Sequence, residues 1–224
     1  MKKVQKNFIV TAILFALFIV YTVLVKTVDV QTITIGDKQT ELGFASMNQA
    51  IWHSLGRSQF WYTLTEYLGY IAIVVMFAFA LLALIQMIQR KNFFRTDLEF
   101  LVLGGFYIVM VAFYLFFEKV VINLRPILED GKWEPSYPSS HTMLVCCVMT
   151  TAIFQCNRLL KNQTFRILAD IACVVMIALM VMGRLLSGVH WMTDIFGGVL
   201  ISATLVMLYY SVVQLLKYKI RRRA

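Results

Sequence analysis

Six stretches of apolar residues, each broken off by a short or long polar segment, set the rhythm of this chain. They run over 8–25, 67–89, 100–117, 141–157, 167–183 and 195–216. The first holds 18 residues without a charge and the second 23. A helix needs roughly 20 apolar residues to cross the ~30 Å of a bilayer's hydrocarbon. The pattern therefore predicts an all-α, polytopic membrane protein with six transmembrane helices. Residues 2–6 carry Lys2, Lys3 and Lys6 ahead of the first stretch. That stretch is long for a signal peptide and no small-residue cleavage site follows it, so it reads as an uncleaved first helix. The longest polar stretch, 26–66, separates the first two spans. Within it Val28 to Ile35 alternates and meets the turn pair Gly36-Asp37, which predicts a hairpin or extended loop. Residues 44–64 follow with an amphipathic pattern (Phe44, Met47, Ile51, Trp52, Leu55, Trp61, Leu64). Trp52, Trp61 and Tyr62 are assigned there to the headgroup layer, and His53 to an interfacial or structural role. Gly104-Gly105 in the third span predicts a close helix approach. No internal repeat or soluble segment divides the chain, so 1–224 is read as a single domain.

Composition agrees with this picture. Of the residues, 60% are hydrophobic and only 15% charged, against about 25% charged in soluble domains. The net charge of +9 does not point to nucleic acid, because the basic residues cluster beside the apolar stretches. Four cysteines (Cys146, Cys147, Cys156, Cys173) all lie inside apolar stretches without CxxC spacing, and read as small buried hydrophobes. Across six spans, 14 of the 21 Lys and Arg fall on the side that holds the termini and the two short loops. That side includes Arg90, Lys91 and Arg95, then Arg158, Lys161 and Arg166, and the tail from Lys217 to Arg223. The positive-inside rule places both termini in the cytoplasm and the long loops, 118–140 and 183–194, outside. The C-terminal arginines act as a topology signal and contact anionic lipid. Asp170 is expected to pair with Arg166, four residues earlier.

The two outer loops carry the chemistry. The stretch Arg184 to Asp194 (RLLSGVHWMTD) sets an arginine, a histidine and an aspartate beside the last span. His190 and Asp194 are four apart, a spacing that on a helix shares a face and lets a carboxylate fix an imidazole tautomer. Arg184 offers a planar fork of donors for phosphate or carboxylate. Tyr137-Pro138-Ser139-Ser140-His141 heads the fourth span, and Arg125-Pro126 precedes it. Ser139 or Ser140 is placed to cap that helix, whose N-terminus favours anions. Together these residues describe a phosphate cradle with two imidazoles. One attacks phosphorus and the other protonates the leaving oxygen, while arginines neutralise the equatorial oxygens. Fixed cations take the place of a metal, so no metal or other cofactor is expected.

These segments resemble the signature of the type 2 phosphatidic acid phosphatase family, which includes bacterial acid phosphatases and vanadium haloperoxidases. Its motifs are a lysine, six residues and Arg-Pro; Pro-Ser-Gly-His; and Ser-Arg, five residues, His, three residues, Asp. Arg125-Pro126, Pro138-Ser139-Ser140-His141 and Gly183-Arg184 with His190 and Asp194 match them in order over 119–194. The resemblance implies that His190 is the nucleophile forming a phosphohistidine and Asp194 its orienting partner. It implies His141 as general acid, and Arg125, Ser139 and Arg184 as phosphate binders, with Ser140 beside them. Ser140 replaces the usual glycine and Gly183 the usual serine. The family's lysine position holds Glu118, and Lys119 stands only five residues before Arg125. At ~100° per residue, Lys119 is about 120° off the face that Arg125 would share.

The function expected is an integral membrane lipid phosphatase. It would hydrolyse a phosphomonoester or pyrophosphate of a lipid (phosphatidylglycerol phosphate, phosphatidic acid or undecaprenyl pyrophosphate) at the outer face of the cell membrane. The partners expected are that lipid phosphate and membrane lipids. A phosphotransferase with the same site, a non-enzymatic anion-binding or transport protein and a metal-dependent hydrolase are the rivals. Gathering of the residues at one interface disfavours a transport path, and scarcity of acidic ligands disfavours the metal.

Overall fold

Long apolar stretches with no water to bond their backbones have to close their hydrogen bonds internally, and each becomes a helix. The computed structural model describes residues 2–90, 97–128 and 131–222. In chain order these form α1 (Lys2–Thr27), β1 (Gln31–Ile35), β2 (Lys38–Leu42), α2 (Ala45–Leu55), α3 (Gln59–Arg90), α4 (Leu98–Lys119), α5 (Ser140–Leu159), α6 (Gln163–Leu186) and α7 (Met192–Arg221). Among the described residues, six helices (all but α2) are long and apolar enough to cross a membrane. The basic residues Lys91, Arg95 and Arg223 lie outside the described residues.

The central helix is α5. It packs against α3, α6 and α7, whereas α1 lies along α7 and α4 touches α7 more than α3. In α5, 56% of the spanning window is buried, against 11% in α3 and α6. This is why α5 carries the most polar run of the six, with Thr142, Thr151 and Gln155 fully inside. Helix α1 buries Thr11, Phe18 and Val25 at seven-residue spacing, one stripe facing a single partner. Polar contacts fasten that seam at both ends. Thr11 Oγ1 lies 3.2 Å from Ser211 Oγ, and Tyr21 OH donates to the Thr193 carbonyl at 3.2 Å. Such contacts matter because lipid offers no hydrophobic drive for one helix to leave it for another.

The predicted hairpin is present, with Gln31 opposite Leu42 and Ile35 opposite Lys38. The amphipathic stretch is split, however. Gly56 at φ 68° ends α2, and α3 starts at Gln59, eight residues ahead of the predicted span. The hairpin, α2 and the loop before α5 form a second small core of Ile35, Leu42, Ala45, Leu124 and Trp191, capping one end of the bundle. Two sequence expectations bear on this packing. Trp52, assigned to the headgroup layer, spends its indole N–H on the Gly188 carbonyl at 2.9 Å. Gly104 and Gly105 make no close helix approach; a Cβ on either would meet nothing within 4 Å, and both line a cleft between α3 and α4. At the other end of the bundle, Asp170 is held by Asn157 Nδ2 at 2.8 and 2.9 Å, and not by Arg166.

Candidate active site

The capped end of the bundle gathers the two loops that the sequence singled out. The loop between α4 and α5 folds back on itself. Arg125 N–H donates to the Glu134 carbonyl at 3.1 Å and Ser136 N–H to the Asn123 carbonyl at 2.9 Å, around a bridge between Leu124 and Pro135. This pairing sets Asn123 and Ser136 side by side over the start of α7. Tyr137 is buried against α7, where Gly197 leaves room for its ring; a Cβ there would come within 2.4 Å of it. Ser139 N–H donates to the Asp194 carbonyl at 3.0 Å, which closes the loop onto the helix.

His190 is not on α7. It ends the loop from Ser187, and α7 begins two residues later. The direct His190–Asp194 contact expected from four-residue spacing is therefore replaced. Nδ1 of His190 is 3.8 Å from Asp194 Oδ2, too long for a hydrogen bond. Ser136 stands between them: its Oγ lies 3.0 Å from Nδ1 and donates a short bond to Asp194 Oδ2. Asp194 also accepts from Asn123 Nδ2 at 3.1 Å and from the Trp191 N–H at 2.9 Å. The carboxylate accepts only, so the Ser136 hydroxyl proton points at Asp194 and its oxygen receives the proton on Nδ1. That leaves Nε2 of His190 with a free pair, which accepts Arg184 Nη2 at 3.2 Å. His190 is buried. Burial, then the charges of Arg184 and Arg125, hold its imidazole well below the usual range, so it is neutral at pH 7.

Arg184 has no exposed surface. Its Nη1 pairs with Glu66 Oε1 at 2.9 Å and approaches Thr65 Oγ1 at 3.4 Å. The other oxygen of Glu66 lies 3.3 Å from His141 Nε2. The site is thus one continuous chain of polar groups: His141, Glu66, Arg184, His190, Ser136, Asp194. Arg125 lies at its edge, paired with Glu134 Oε2 at 3.1 Å. Ser139 is buried at the N-cap position of α5 without capping it through its side chain; its Oγ accepts from Thr142 Oγ1 at 3.0 Å. Ser140 lines a small cavity beside His190, together with Glu118, Tyr114 and Ser136. Lys119 is not there. It is the exposed last residue of α4, and Glu118 lines the cavity in its place; the chain leaves the helix after Lys119, so the helical offset to Arg125 does not apply.

Glu66, Ser136 and Asn123 were not singled out in the sequence. Glu66 had a signal: it is the one charged residue in 59–89, and an ionisable group in a spanning helix calls for a partner. Ser136 and Asn123 had none, since both work through the folding back of an irregular loop.

Beside His141, an apolar groove of about 310 Å³ opens between α3, α4 and α5, lined by Ile73, Met76, Met110, Val111, Tyr114 and Leu144. Its floor ends at Ser140 and His141. The arrangement joins a neutral imidazole, a buried guanidinium, a second imidazole and an apolar groove.

Residues 117–218 match the PAP2 superfamily. The fold is similar to that of a transmembrane PAP2-type phosphatidylglycerolphosphate phosphatase from Bacillus subtilis, at 19% identity and a TM-score of 0.61, over 91% of this chain and 96% of that one. No match was found among curated protein sequences. The segment matched holds both loops and every group on the polar chain except Glu66, so in this multi-pass membrane protein the likeness to the PAP2 superfamily lies where the site residues lie.

Proposed function

We propose that this protein is a lipid phosphatase, which removes a terminal phosphate through a phosphohistidine on His190 without a metal. The observation that carries this reading is the relay from Nδ1 of His190 through Ser136 to Asp194, which leaves Nε2 as the free nitrogen beside Arg184. In the first half-reaction Nε2 attacks phosphorus, the bond to the lipid oxygen breaks, and His141 donates a proton to that oxygen. Arg184 and Arg125 offset the charge on the equatorial oxygens. Nδ1 keeps its proton throughout, and the positive charge gained by the ring is met by Asp194 through Ser136. In the second half-reaction water gives His141 a proton as its oxygen attacks phosphorus, and inorganic phosphate leaves His190.

The groove between α3, α4 and α5 supports a lipid as substrate, because its apolar walls are built from membrane-spanning helices while its end meets His141. The similar Bacillus subtilis protein acts on phosphatidylglycerolphosphate by its description, so that lipid heads the substrate panel, with phosphatidic acid and undecaprenyl pyrophosphate. The charge asymmetry of the loops supports a site at the outer face, with both termini in the cytoplasm. Purified protein is expected to release phosphate from at least one panel member with a chelator present, and vanadate is expected to inhibit it. A brief reaction with phosphate-labelled substrate, quenched in base, is expected to leave label on the wild type and none on His190→Ala. Turnover by His190→Ala would reject the assignment.

A further inference from the structure

Glu66 lies outside the segment 117–218 that carries the other site residues. It is the one charged residue in 59–89, yet it is neither solvated nor stray, its side chain being only 25% exposed. Its two oxygens are divided between two functions. Oε1 takes Arg184 Nη1 at 2.9 Å, and Oε2 takes His141 Nε2 at 3.3 Å. The second contact decides where the proton on His141 sits. A carboxylate accepts and does not donate, so Nε2 must carry hydrogen. The other nitrogen, Nδ1, is buried without a hydrogen-bond partner. Glu66 is therefore the polar group that orients this ring among the described residues.

The backbone around Glu66 is shaped for this arrangement. One turn along α3, Gly69 lies under the His141 ring; a Cβ there would come within 2.9 Å of Cδ2 and 3.4 Å of Nε2. Across from Glu66, Gly183 lets α6 approach α3; a Cβ on it would meet Thr65 Cγ2 at 2.6 Å and the Trp61 ring at 3.2 Å. Gly183 is the position where the resembling motif has a serine. Here the smaller residue brings Arg184 within reach of Glu66.

We infer that Glu66 is a positioning residue for the general acid: it fixes the His141 ring, keeps its proton on Nε2, and ties that nitrogen to the guanidinium that binds phosphate. The inference rests on the phosphatase reading above and adds a residue to it. On substrate binding, Oε2 yields the Nε2–H to the leaving oxygen and Oε1 stays on Arg184. The acid form is the imidazolium, with hydrogen on both nitrogens: the P–O bond breaks as Nε2 passes its proton to that oxygen, which leaves a neutral ring with hydrogen on Nδ1.

A leaving-group comparison tests this. A diacylglycerol alkoxide is a poor leaving group and needs its proton, whereas p-nitrophenolate leaves without one. The probes are dioctanoyl phosphatidic acid and p-nitrophenyl phosphate, read as kcat/KM, which reports the step that breaks the ester bond. Glu66→Gln is expected to lose about 10²-fold on the lipid ester and to keep most of its rate on the aryl ester. His141→Ala is expected to share that selective loss, and His190→Ala to lose both activities. Retained aryl turnover is itself the proof that the variant is folded. Equal loss on the two esters would overturn the inference, since Glu66 would then serve only Arg184; so would an unchanged rate on the lipid. If Glu66→Gln melts, Glu66→Asp keeps the charge with a shorter reach, and the same selective loss is expected of it. Wild-type protein that hydrolyses neither ester would remove the phosphatase reading and this inference together. Wild-type activity with a Glu66→Gln variant indifferent to the leaving group removes this inference alone.

Discussion

One hydroxyl separates His190 from the carboxylate that orients it. Ser136 touches both Nδ1 and Asp194, while the two charged partners themselves stay 3.8 Å apart. Ser136→Ala removes the link and leaves Asp194 with Asn123 and Trp191, so the carboxylate stays satisfied and the fold should hold. The imidazole would then lose its tautomer preference, and kcat is expected to fall about 10²-fold with KM nearly unchanged. Activity at the wild-type level would show that the relay is idle. Burial, then Arg184 and Arg125, depress the His190 pKa, which sets a pH dependence. The nucleophile proposed is the neutral ring, and lowering its pKa keeps that form at more acidic pH. The acid limb of kcat/KM is therefore expected to fall below the ordinary imidazole value of about 6.5, measured on a substrate whose own ionisation has been subtracted. The same sign holds for stability. Unfolded chains bind the proton near that ordinary value and the folded chain resists it, so the melting temperature is expected to drop as pH falls below it. At this scale the sequence named His141, Arg184, His190 and Asp194, because their types and spacing are local. It missed Ser136, since the four-residue spacing assumed a helix that starts only after His190. It misplaced Lys119, since its partner position is fixed by the face of α4 and not by the count to Arg125.

The segment between α1 and α3 behaves as a clamp on the loop that holds His190. Asn48 on α2 is fully inside; it donates to the Gly43 carbonyl at 2.9 Å and to Thr193 Oγ1 at 3.0 Å, and accepts the Thr193 N–H at 3.3 Å. Trp52, one turn on, holds the Gly188 carbonyl. These contacts bracket His190 from both sides in sequence. Asn48→Ala removes the three bonds and leaves the Gly43 carbonyl and the Thr193 groups buried without a partner. A loss of about 1–3 kcal/mol is expected, read as a lower melting temperature in detergent, with kcat reduced because the loop holding His190 loosens. Unchanged melting would mean that the hairpin core of Ile35, Leu42, Leu124 and Trp191 holds α2 without help. The hairpin was legible because alternation and a Gly-Asp turn are local signals. The docking of α2 was not, since Trp52 on an amphipathic stretch looks the same whether its indole faces headgroups or a loop carbonyl. The glycine pair in α4 misled for a similar reason: smallness permits a close approach and does not create one.

Across the whole molecule, polarity is distributed by end. One end holds the reactive chain of groups under its cap. The opposite end holds an ionic knot, where Arg158 pairs with Asp97 at 3.0 Å and Glu99 at 3.6 Å, and Lys217 pairs with Glu99 at 2.6 Å. That knot joins α5, α4 and α7 where no substrate group is needed, so the two ends differ in task as well as in charge. The number of spans followed from the apolar stretches, because crossing a bilayer imposes a length. The choice of α5 as the central helix was written more faintly, in its higher share of Thr, Cys and Gln, which lipid would reject and a helical interior accepts. Sidedness rests on charge alone, and it decides which leaflet supplies substrate. If the ionic knot faces the cytoplasm, the turn of the hairpin lies outside and the turn between α5 and α6 inside. Both Asp37 and Lys161 are exposed, which makes them direct reporters. The native thiols Cys146, Cys147 and Cys173 are buried in the bundle, whereas Cys156, read from the sequence as buried, is only partly so; the variants are therefore made on a Cys156→Ser background. An Asp37→Cys variant is expected to react with a membrane-impermeant maleimide on intact cells, and Lys161→Cys only after the cells are opened. The reverse order would turn the catalytic end to the cytoplasm, and substrate would then have to come from the inner leaflet.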